Sequence, residues 1–68
     1  MTHFIEYSDK GGTKRLLNIS AITEIISHNK TIEIHAVSGD VINLSVAFQT
    51  VKDALKSRIP ILEVGDEI

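Results

Sequence analysis

The chain has 68 residues, with 7 basic side chains against 9 acidic ones for a net charge of −2, and it contains no cysteine. That length makes one domain, and the composition excludes disulfides, thiolate metal sites and cysteine nucleophiles together. A chain this short buries only about 60% of its unfolded surface, so its expected stability is roughly 3 to 10 kcal/mol at about 0.05 to 0.15 kcal/mol per residue.

The charge is unevenly placed. The last ten residues hold Glu63, Asp66 and Glu67 and no base, which leaves residues 1–58 at +1. Neither part is the basic platform expected of a nucleic-acid binder. The start, Met1-Thr2-His3-Phe4-Ile5-Glu6, lacks the charged lead and apolar run of a signal peptide, and no apolar stretch approaches membrane-spanning length. A cytoplasmic location without membrane attachment is therefore expected. The Asn-x-Ser/Thr triplets at Asn18, Asn29 and Asn43 are read as chance matches.

In chain order, residues 2–9 read as a first strand carrying Phe4, Ile5 and Tyr7. Asp9-Lys10-Gly11-Gly12 is a turn, and residues 13–19 return antiparallel. Leu16 and Leu17 are adjacent and point to opposite sides, so a loop of three or of four residues gives opposite assignments of the buried face. Residues 18–22 form a bend, with a single helical turn capped by Ser20. Residues 23–28 make a third strand and Asn29-Lys30 a tight turn.

The clearest stretch follows. Thr31-Ile32-Glu33-Ile34-His35-Ala36-Val37 alternates, turns at Ser38-Gly39-Asp40 and returns through Val41-Ile42-Asn43-Leu44. From Ser45 the period becomes helical, with Phe48, Val51, Leu55 and Ile59 on one face. The helix ends near Arg58 because Pro60 disfavours helical geometry at Ile59. Residues 60–64 alternate well enough to be a sixth strand, and 65–68 fray. The predicted fold is α+β: a five-stranded antiparallel meander, a sixth C-terminal strand if the tail pairs, and one amphipathic helix on one face. Docking through Phe48 predicts that Phe48→Ala costs about 3 to 5 kcal/mol.

One helix covers one side of a sheet. Ile32, Ile34, Ala36, Ile42 and Leu44 are assigned to that side, and Glu33, His35, Val37 and Val41 to the other. Apolar residues left uncovered point to a homo-oligomer, built by stacking sheets or pairing an edge strand, with the segment 60–68 as a tail or exchanged strand. The expected interaction surface is Tyr7, His35, Val37, Val41, Ile61 and Val64. Its partner would be a second copy or another protein.

Chemistry-bearing constellations are sparse. Glu33 and His35 share a strand face and would supply half a metal site, but the pattern is read as a solvated face. No nucleophile elbow is present, and Gly11-Gly12 lead into a strand, the wrong element for a phosphate loop. The expectation is a non-catalytic module with no cofactor, no metal and no catalytic residues. The alternative is a nucleic-acid-associated regulator contacting phosphates through Lys14, Arg15 and Lys30, although aromatic stacking residues are nearly absent.

The span Leu16 to Ile25, followed by Thr31 to His35 and Ser38-Gly39-Asp40, resembles the first half of LytTR-type DNA-binding domains. The same order over residues 4–58 is similar to small flagellar proteins of the FlbD and SwrD type. The resemblance implies the topology of strand, bend, hairpin and helix. The basic segment that follows the helix in LytTR-type domains is replaced here by the acidic stretch 60–68, and no site residue is carried over.

Overall fold

The computed structural model describes residues 3–65. Its elements are strands β1 (Phe4–Ser8), β2 (Lys14–Asn18), β3 (Ile22–Ser27), β4 (Ile32–Ala36) and β5 (Val41–Leu44), then helix α1 (Phe48–Lys56), with a 3-10 turn at Ile19–Ala21 between β2 and β3. The α+β class holds. The single five-stranded meander does not: β1 and β2 form a two-stranded sheet, and β3, β4 and β5 form a separate three-stranded sheet with β4 in the middle.

The break lies at the 3-10 turn. Asn18 ends β2 in an extended conformation and its side chain accepts from the Ser20 amide at 3.0 Å, so Asn18 is the cap in place of Ser20. The turn redirects the chain, and β3 takes β4 as its partner instead of continuing the ladder from β2. Ala21 O accepts from the Val37 amide at 2.7 Å, which fastens the turn to the far end of β4.

The first hairpin has a five-residue connection, Asp9 to Thr13, longer than expected. Asp9 Oδ1 accepts from the amides of Gly11 and Thr13, both at 3.0 Å, and Gly12 takes the positive φ of 82° that the loop requires. The resulting register pairs Ile5 with Leu17 and Tyr7 with Arg15, and places Phe4, Glu6 and Leu16 on the opposite face. Leu17 is the half-buried member of the adjacent leucines, whereas Leu16 is 67% exposed.

In the second sheet Ile32 faces Leu44, Ile34 faces Ile42 and Ile25 faces Ile34, so one apolar face forms across all three strands. Gly39, at φ 96°, closes the β4–β5 turn. Helix α1 begins at Phe48 after an N-cap position, Ala47, with no side-chain hydrogen bond. It ends where the Arg58 and Ile59 amides both bond to Leu55 O, at 2.9 and 2.8 Å, just ahead of Pro60. The fully formed core is small. Ile32 and Ile34 are completely buried and Leu55 is 8% exposed; no other described residue is buried.

Residues 60–65 form no strand. Glu63 instead ties the segment to α1, accepting from Lys56 Nζ at 2.9 Å and lying 3.4 Å from Lys52 Nζ. The remaining part of the expected fraying end, 66–68, lies outside the described residues. Among the described residues, no helix is long and apolar enough to cross a membrane.

Candidate interaction surface

The two sheets do not close on each other. The inner face of the first hairpin, with Ile5 and Tyr7, stands opposite Leu44, Val46, Val51 and Ala54, and between them lies a cleft of about 660 Å³. The exposed wall surface is mainly apolar, although Glu6, Ser8, Asn43 and Thr50 also line it. A smaller cleft of about 260 Å³ lies beside β5, lined in part by Tyr7, Arg15 and Val41. A third, of about 280 Å³, runs between β3 and the helix, lined by Ile22, Ile25, Phe48, Leu55 and Ile61 among others.

The expected surface is therefore divided. Tyr7 and Val41 are brought together in the cleft beside β5. Val37 stands 73% exposed at the β4–β5 turn, and Val64 is exposed in the tail. Ile61 is half-buried and lines the groove against its own helix. His35 is engaged by Glu33. Phe4, Leu16 and Leu62, outside the expected interaction surface, are also exposed large apolar side chains. For Leu16 the signal is the register of the first hairpin, which its loop length alone leaves open.

The alternative cationic set is also dispersed. Lys14 and Arg15 lie on β2 and Lys30 lies in the β3–β4 connection, so they belong to different sheets. Arg15 Nη1 lies 3.8 Å from Asp9 Oδ2, and the helix lysines Lys52 and Lys56 are both directed at Glu63. Arg15, Lys52 and Lys56 thus have carboxylate partners, and Lys14 and Lys30 belong to different sheets, so the cations form no single basic patch.

On the sheet face away from the helix, Glu33 bridges two histidines. Its Oε1 is 3.1 Å from His28 Nε2, and its Oε2 bonds His35 Nε2. Glu33 and His35 were expected to share this face; His28, expected as the last residue of the third strand, joins them from just beyond β3. Each carboxylate oxygen is taken by one ring, and no group of three or more His, Asp or Glu among the described residues is arranged to hold a metal ion. Hydrogen bonds from His35 first, then from His28, hold the Glu33 carboxyl below its usual range.

A carboxyl whose folded pKa is depressed contributes stability above its unfolded pKa and loses it as pH falls through the folded value. Glu33→Gln is therefore expected to flatten the acid arm of the melting-temperature curve below about pH 4.3. Thermal melts of both proteins between pH 3 and 6 check this, and parallel acid arms would refute it.

No family model, curated protein or solved structure matches the chain.

Proposed function

We propose that this chain is a non-catalytic interaction and assembly module that works as a homo-oligomer. The observation that carries this reading is the deficit of burial. The accessible surface is 5443 Å², whereas a compact folded monomer of 7.5 kDa exposes about 4,200 Å². The radius of gyration, 12.4 Å, exceeds the roughly 11 Å of a compact 68-residue domain in the same sense. The excess, on the order of 1,000 Å², is of the size that one partner buries in a specific interface, about 800 Å². With three buried apolar side chains among the described residues and no cysteine for a disulfide, association would add stability that the small core does not supply.

Sedimentation at about 1 to 100 µM tests the proposal, with a discrete mass above the monomer as the expected result. The melting temperature should also rise by a few degrees for each tenfold increase in concentration, because association stabilises only the folded chain. A monomer mass throughout, with a concentration-independent melt, would exclude the oligomer.

A further inference from the structure

We infer that the second copy joins at the free edge of β3, extending the three-stranded sheet across a two-fold axis at Ile25; this placement rests on the assembly reading above. Among the described residues, four of the five strands have a free edge, since β4 alone is paired on both sides. The edge of β5 is flanked by the first hairpin, with Tyr7, Asp9 and Arg15 beside Val41 to Leu44. β2 presents Lys14 and Arg15, a basic pair that discourages pairing. In β1 the register that overlaps all five residues sets Glu6 against Glu6 of the second copy.

β3 lacks a basic pair and an unavoidable Glu–Glu clash, although the helix and tail stand beside Ile22 to Ile25 through Phe48, Lys52 and Ile61. It is the longest strand, Ile-Thr-Glu-Ile-Ile-Ser, with no lysine, arginine or proline. Its bulge is confined to Thr23, which leaves Glu24 to Ser27 regular. The direction of its hydrogen bonds also follows from the ladder. His28 N donates to Thr31 O, and pairing alternates along an antiparallel ladder, so Ser27 and Ile25 turn their amide and carbonyl groups away from β4.

A two-fold axis at Ile25 therefore makes Ile25 and its mate an exchanging pair, each amide donating to the other's carbonyl. Glu24 then faces Ile26 within the regular stretch, and Ser27 comes opposite the bulged Thr23, with no like charges opposed. Moving the axis by one residue to Glu24 would appose two carboxylates. The register at Ile25 is thus self-complementary. It also sets the two grooves lined by Ile25, Phe48 and Ile61 on the same sheet face, one on each side of the axis. Covering them supplies apolar burial that the isolated chain lacks.

The test uses the full chain. Ser27→Pro removes an outward donor without breaking the bond network to β4, and Ser27→Lys keeps the donor but places a charge on the edge. Each is expected to weaken self-association at least about tenfold in sedimentation while the far-ultraviolet circular dichroism spectrum stays native. Because the chain has no cysteine, Ile25→Cys gives a specific readout. Exchanging pairs have Cα atoms about 5.5 Å apart, within disulfide range, so mild oxidation should yield a covalent dimer. Leu16→Cys, at the middle of β2, should not. A wild-type monomer mass would sink the assembly reading itself. An oligomer indifferent to both Ser27 variants, which crosslinks through residue 16 and not residue 25, would overturn only the β3 placement.

Discussion

Ile34→Ala is expected to remove a large share of the stability of this chain and to move its urea midpoint well below that of the wild type. Ile34 is the central residue of the central strand, facing Ile25 on β3 and Ile42 on β5, and it is completely buried. Truncating such a side chain costs about 2 to 5 kcal/mol, from the lost transfer energy and the cavity left behind. The whole domain has roughly 3 to 10 kcal/mol, so the loss is a large share of the total. In a larger protein neighbouring core residues would limit the damage. Here the other completely buried side chain is Ile32, two residues along the same strand. Urea titration monitored by circular dichroism checks the prediction. A midpoint close to that of the wild type would mean that the β4 core is not what holds this fold, whereas Val37→Ala, at an exposed turn, should change the midpoint little.

That asymmetry between the two sheets also explains what was legible. The β4–β5 hairpin and helix were readable because local signals agree: strict alternation in Thr31 to Val37, a glycine at the one turn position with positive φ, and then a change to helical spacing at Phe48, Val51 and Leu55. The pairing of Ile32 with Leu44 and Ile34 with Ile42 follows from that turn. The first hairpin was less legible, since Leu16 and Leu17 satisfy either face and the Asp9 side chain stabilises a loop longer than two glycines suggest. Partition into two sheets was not legible at all. Whether β3 pairs with β2 or only with β4 depends on the direction the chain takes after Asn18, which a three-residue turn decides and no periodicity records. The candidate surface inherits these limits: Tyr7 and Val41 converge, but Leu16 and His28 depend on loop geometry. The β3 edge depends on the sheet order, so sequence alone could not isolate it.

The helix gives the second large effect, and there the structure changes which side chain matters. Leu55→Ala is expected to cost about 2 to 5 kcal/mol, because Leu55 is 8% exposed and is the one buried residue that α1 contributes. Phe48, equally prominent in the helical stripe, is 36% exposed. It sits at the first position of α1 and lines the groove beside β3. Truncation there should remove about 1 to 2 kcal/mol from the monomer, since partial burial yields only a fraction of a full side chain's transfer energy; the 3 to 5 kcal/mol expected from periodicity alone is too large. If a second copy covers the groove, dilution separates the contributions. At low concentration Leu55→Ala should be the more damaging substitution; at high concentration, where the dimer forms, the cost of Phe48→Ala should grow toward it. Melts of both variants across a hundredfold concentration range make the comparison. Equal losses at every concentration would show Phe48 to be an ordinary core residue, whereas a loss that grows with concentration would place its ring at the contact between copies.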